Sequence, residues 1–183
     1  VGYGCLELRE VVPARSAPAN VPADVPLAHR AANVLAGSPH GWAHARAEVV
    51  ARGALRLGGR KDPLPVRLRN LADGLRELLT HLHPDEIALE EAFYGKSVQS
   101  ALRIGEARGV IMAEASRAGV AVRQFSPARI KRAVTGHGAA SKDQVGEMVM
   151  RLLQLPALPE PRDVSDALAA AICRAEQYRG LRR

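Results

Sequence analysis

From Leu64 to about His81 the apolar residues Val66, Leu68, Leu71, Leu75, Leu78 and Leu79 recur at helical spacing, which predicts an amphipathic helix. Pro84-Asp85 closes that stretch, and Glu86 to Glu90 reads as a short strand of the buried kind, carried by Ile87, Ala88 and Leu89. A second helix is expected from Ser97, a residue able to cap it, to about Arg117, with Gly119 as its stop. Val120–Phe125 is predicted as a further strand, and Ser126-Pro127 opens a short helix to about Val134. Helices from Lys142 to Leu153 and from about Val164 to Gln177 follow, separated by a loop containing Pro156, Pro159 and Pro161. Upstream, Val1–Leu8 and about Ala47–Leu57 read as strands, the second ended by the turn Gly58-Gly59. Alternation of helix and strand beyond residue 64 predicts an α/β layered fold, without internal repeats. Residues 12–45 break the pattern. Pro13, Pro18, Pro22, Pro26 and Pro39 fall in this Ala-rich tract, which is expected to be a flexible insertion with at most a short helix near Ala28–Leu35.

Composition supports one domain spanning residues 1–183: 47% of the chain is hydrophobic and 25% charged, enough for a packed core. No apolar run is long enough for a membrane span, and no basic-then-apolar leader opens the chain, so the expected location is the cytoplasm. Cys5 and Cys173 are too few for a disulfide framework or a zinc-ribbon ligand set and are expected to be small buried residues. His29, His40, His44, His81 and His83 lack a cysteine partner at ligand spacing and read as surface or loop residues.

Charge adds more. Of the net +7, +6 lies between residues 101 and 142, through Arg103, Arg108, Arg117, Arg123, Arg129, Lys131, Arg132 and Lys142. The same stretch holds Gly136-His137-Gly138, whose bare backbone N–H groups can approach a phosphate, and a predicted helix start near Ser141. Together these favour a nucleic-acid partner.

Three carboxylates stand apart from the surface acids. Glu90 ends an apolar strand at the carboxyl edge, where open α/β sheets place ligands. Asp163 and Asp166 lie three residues apart at the start of a helix otherwise made of Ala, Leu and Ile, a spacing within reach of a common ion. Helix capping would explain one of them better than both. Oxygen donors of this kind suit Mg²⁺ or Mn²⁺, which serve phosphodiester hydrolysis.

The stretches PDEIALEEAFYGKSVQSALRIGEARGV (84–110), FSPARIKRAVTGHGAASKDQV (125–145) and RDVSDALAAAI (162–172) carry a resemblance to the RuvC-type Holliday junction resolvases, the bacterial crossover junction endodeoxyribonucleases. That resemblance implies an RNase H-like fold, a five-stranded mixed sheet flanked by helices, and a homodimer that binds four-way junction DNA and nicks it using Mg²⁺. It implies that Glu90, Asp163 and Asp166 hold the metal, that Lys131 and Lys142 contact DNA and support catalysis, and that Phe93 stacks on an unpaired base. With the charge map it gives a DNA-binding set of Phe93, Arg129, Lys131, Arg132, Gly136, Gly138 and Lys142. A branch-migration motor is the implied partner.

The family opens with a hydrophobic strand ending in a metal-binding Asp and a Pro-Gly turn, and the chain begins with the segment that follows that turn, Val1-Gly2-Tyr3-Gly4. No Asp precedes Glu7, and Asp24 lies in the proline-rich tract. The resemblance therefore implies a chain short of one carboxylate and of the sheet's middle strand, inactive or nearly so as it stands; a start about a dozen residues upstream would supply both. Two alternatives are a catalytically inactive branched-DNA-binding relative and another RNase H-like nuclease.

Overall fold

A computed structural model of the chain describes residues 1–10, 45–59, 61–91 and 98–180. The proline-rich tract, but for Ala45, lies outside the described residues, as do Ser97 and Phe93. The element order is β1 (Gly2–Glu10), β2 (Ala45–Ala54), α1 (Leu64–Leu82), β3 (Glu86–Glu90), α2 (Val98–Arg117), β4 (Ala121–Phe125), α3 (Pro127–Thr135), α4 (Lys142–Leu152) and α5 (Arg162–Gly180). Among the described residues no helix is long and apolar enough to cross a membrane.

Local chemistry sets most of the boundaries. Pro63 precedes α1 and Pro127 opens α3, where a missing N–H costs no hydrogen bond. His83 ends α1 in the left-handed region, φ 43°, and Gly136 ends α3 at φ 78°, each donating its N–H to a carbonyl of the last turn. Ser141 begins α4 with a reciprocal cap: its hydroxyl accepts from the Gln144 N–H, and the Gln144 side chain accepts from the Ser141 N–H. β2 stops at Ala54, short of the expected Leu57. Beyond it Gly58 adopts φ 96°, and Asp62 folds back to accept from the Gly59 N–H at 2.7 Å, a turn that takes the chain out of the ladder.

The four strands of the described residues pair two by two. β1 and β2 are antiparallel, Gly2 opposite Ala54 and Glu10 opposite Ala45, with a register shift at Cys5/Leu6. β3 and β4 are parallel and in register from Glu86–Ala121 to Glu90–Phe125. The expected five-stranded mixed sheet is thus represented by one antiparallel and one parallel pair, unjoined among the described residues.

Helix α5 ties the pairs together, since both rest on it. Its inward face, Val164, Leu168, Ile172 and Cys173, is buried and forms the core with Phe125, Ile130, Val134, Val145 and Val149. Burial pushes the Cys173 thiol up to about 11, the behaviour expected of an inert core cysteine. Two glycines let β1 lie close to α5: a methyl group on Gly2 would overlap the Asp163 carbonyl, and one on Gly4 would overlap the Leu168 side chain. Helices α1 and α2 are clamped by Glu114, nearly buried, which accepts from Arg76 and from Arg117; Arg76 chiefly holds its carboxyl at about 2. At the start of β3, Glu86 accepts from Arg174 of α5 and Arg123 of β4, and its carboxyl is held below the usual range by Arg174 first. These pairs fix β3 at the end away from Glu90.

Candidate active site

The carboxyl end of β3 opens into a cleft between α3, α4 and α5. Glu90, Lys131, Lys142 and Asp166 supply its polar lining, and Pro127, Ile130, Val145 and Ala169 its apolar walls. Each polar group arrives from a different element. Parallel pairing with Phe125 holds Glu90 at the last position of its strand. Lys131 stands on α3, which Pro127 starts directly after β4. Lys142 occupies the first position of α4, located by the Ser141–Gln144 cap, so that helix also presents its positive dipole end to the site. Asp166 lies in the first turns of α5.

The electrostatics follow from this convergence. The Glu90 carboxyl is pushed above the ordinary range, first because the cleft strips water from it and second because Asp166 repels it. Lys142, Lys131 and Arg108 pull the other way. Lys142 Nζ donates to Asp166 Oδ2 at 3.1 Å, bridging α4 and α5 across the cleft. The arrangement is two carboxylates that raise each other's energy, with two ammonium groups beside them.

Asp163 is placed differently. Its side chain is 64% exposed and lies outside the lining of this cleft, although Asp166 is on the same helix. Among the described residues no three acids, histidines or cysteines gather as a metal cluster. The cleft nevertheless fits a hard cation: its donors are carboxylate oxygens without thiol or imidazole, and the mutual repulsion of Glu90 and Asp166 is relieved by positive charge between them.

The remaining basic and glycine residues lie outside the lining of the cleft. Arg129 sets its guanidinium 5.6 Å from the centroid of the Phe125 ring. Gly136 needs its left-handed conformation to end α3, and Gly138 is crowded, with the Ala128 carbonyl 3.2 Å from where a Cβ would be. The Arg132 guanidinium lies along the same turn. Phe93, the expected base-stacking residue, is outside the described residues.

One contact at the site had no sequence signal beyond its place in the basic stretch. Arg108 of α2 donates to the Glu90 carbonyl and to Gln124 Oε1 of β4. The apolar walls were also not singled out, because Ile130, Val145 and Ala169 read as ordinary core positions of their helices.

Comparison with known proteins gives the family. Residues 43–174 match the family described as crossover junction endodeoxyribonuclease RuvC. A protein of that name from Desulforamulus reducens is 43% identical over 114 residues, 62% of this chain and 70% of its own length. One from Chloroflexus aurantiacus is 47% identical over 113 residues, 62% of this chain and 69% of its own. The structure of Thermus thermophilus RuvC superposes with a TM-score of 0.68 at 30% identity, covering 74% of this chain and 81% of that one. The T. thermophilus protein in complex with Holliday junction substrate gives 0.67 at 26% identity, covering 74% and 82%. The α/β, RNase H-like architecture expected from the motifs is therefore the one observed, and the chain belongs to the RuvC family of crossover junction endodeoxyribonucleases.

Proposed function

We propose that the protein is an endonuclease that resolves four-way (Holliday) DNA junctions by metal-dependent phosphodiester hydrolysis, in recombination and repair. The observation that carries this reading is the cleft itself: Glu90 and Asp166 face the same space as Lys131 and Lys142 at the end of a parallel strand pair. Carboxylates alone would repel a phosphodiester, and lysines alone would bind one without cutting it. Both sets in one cleft suit a phosphate that is held and hydrolysed. Kinship with proteins named for junction cleavage, one of them with a junction-bound structure, supports the substrate.

Glu90 and Asp166 are the residues that would hold the cation, Mg²⁺ or alternatively Mn²⁺, with Asp163 at the rim as a further acid. A divalent ion of this class supplies, when bound, Lewis-acid activation of water and stabilisation of charge on the leaving oxygen. Lys142, tethered to Asp166, and Lys131 neutralise phosphate charge at the mouth. Arg129, Arg132 and the turn Gly136–Gly138 extend that positive surface along the DNA backbone, where phosphate contacts supply affinity and register. Phe93 is the proposed wedge at the junction centre.

A second copy of the chain is the proposed dimer partner, and α2 supports it. Val98, Leu102 and Met112 are exposed on α2, and among the described residues nothing would meet a methyl group at Gly105 or Gly109 within 4 Å. Antiparallel pairing of two such helices about Ala107 sets Gly105 against Gly109 and Leu102 against Met112, a self-complementary fit. A branch-migration motor as partner and a cytoplasmic location complete the proposal.

The test is cutting of a four-way junction beside a plain duplex and an RNA–DNA hybrid, by protein expressed from its complete gene. The junction is expected to be preferred by about 10³-fold or more. Equal cutting of duplex or hybrid would replace this reading by another RNase H-like nuclease. Tight junction binding without cutting in Mg²⁺ or Mn²⁺ would replace it by a binding module.

A further inference from the structure

We propose that Arg108 is a positioning residue for the active site: its guanidinium fork locks the carboxyl end of β3, and with it Glu90, to β4 and α2. This inference rests on the reading of the cleft given above, and it concerns a residue outside the cleft's lining.

The argument starts from the strand. β3 is short, and among the described residues its ladder partner is β4. At its far end Glu86 is held by two arginines, whereas the Glu90 end lies at the mouth of the cleft. The ladder gives that end one further bond, from the Glu91 N–H to the Phe125 carbonyl at 2.8 Å. Because the Glu90 carbonyl shares a planar trans peptide with that N–H, the bond turns the carbonyl away from β4, and among the described residues the ladder offers it no donor there.

Arg108 supplies a donor to that carbonyl and ties it to α2. From three turns into α2, it sends one terminal nitrogen to the Glu90 carbonyl and the other to Gln124 Oε1. Gln124 precedes Phe125, the residue opposite Glu90, so the two acceptors belong to adjacent strands. A planar guanidinium can serve both at once, and an ammonium on a flexible stem cannot hold the same plane. Both of these donors point to protein acceptors on the strand pair.

The experiment compares Arg108→Lys, Gln124→Ala and the double variant with the native protein expressed from its complete gene. Four readouts are taken: single-turnover junction cutting, junction Kd with its salt dependence, Tm, and Mn²⁺ affinity from the EPR signal of free Mn²⁺ without DNA. For Arg108→Lys, cutting at saturating protein is expected to slow about 10- to 100-fold and Mn²⁺ affinity to fall about tenfold. Junction Kd is expected to stay within about twofold and the salt slope to be unchanged, because charge is retained and no phosphate contact is lost. Gln124→Ala is expected to slow cutting in the native background and to add little once Arg108 is Lys, since both act through one fork.

A weaker junction Kd with native cutting at saturation would overturn the inference in favour of a phosphate contact. Slower cutting explained by a lower Tm, with Mn²⁺ affinity unchanged in the folded protein, would overturn it in favour of a purely structural role. Native values throughout would also overturn it. If the native protein itself fails to cut junctions, the functional reading falls, while the Mn²⁺ affinities still decide the role of Arg108.

Discussion

Replacing Glu90 by Gln is expected to lower junction cutting by about three orders of magnitude or more while leaving junction affinity within a few-fold. Gln keeps the size and shape of the side chain and removes its charge. The cation site would then keep Asp166 alone, already tied to Lys142 at 3.1 Å. Several kcal/mol of charge stabilisation is the usual contribution of a correctly held cation, and each 1.4 kcal/mol is about tenfold in rate. Binding survives because it comes from basic groups on phosphates, and losing a carboxylate from the cleft removes a repulsion. Cutting by Glu90→Gln at more than about a tenth of the native rate would contradict the assignment of Glu90.

The second large effect concerns stability. Leu168 is completely buried on α5, two residues after Asp166, and fills the space that Gly4 leaves beneath β1. Leu168→Ala is expected to cost about 2–5 kcal/mol, from lost burial plus the cavity left among Val164, Ile172 and the strand above. In a protein of this size that lowers Tm by about 5–15 °C. Leu158, 52% exposed, is the control: Leu158→Ala is expected to change stability by less than about 0.5 kcal/mol. Similar losses for both variants would mean that the core is not centred on α5. The prediction bears on function because α5 carries Asp166 into the cleft and supports both strand pairs.

Much of this organisation is legible in the sequence because its signals are local. The run Ile87-Ala88-Leu89 marks a short strand, and β3 lies where it was expected, Glu86–Glu90, with these three residues half-buried rather than fully buried. Pro127, Gly136 and Ser141 act on their own turns, so α3 and the start of α4 match their expected bounds within a residue. The last helix begins at Arg162, two residues before the apolar run suggested, because its first turn is polar.

The site is legible only in part. Glu90 is marked by its place at a strand end and Asp166 by its place on an apolar helix, but spacing does not say which of two aspartates faces inward. Residues three apart on a helix point about 60° from each other. At the edge of a buried face that angle puts Asp166 into the cleft and leaves Asp163 64% exposed. The contact of Arg108 with Glu90 and Gln124 depends on how α2 crosses the strands, which no local pattern encodes.

The most direct test of the central claim, that Glu90 and Asp166 jointly hold a divalent cation beside Lys142, is the anomalous scattering of crystals equilibrated with Mn²⁺. A peak is expected about 2.0–2.6 Å from carboxylate oxygens of both Glu90 and Asp166. A peak on Asp163 without Glu90, or an empty cleft at millimolar Mn²⁺, would contradict it.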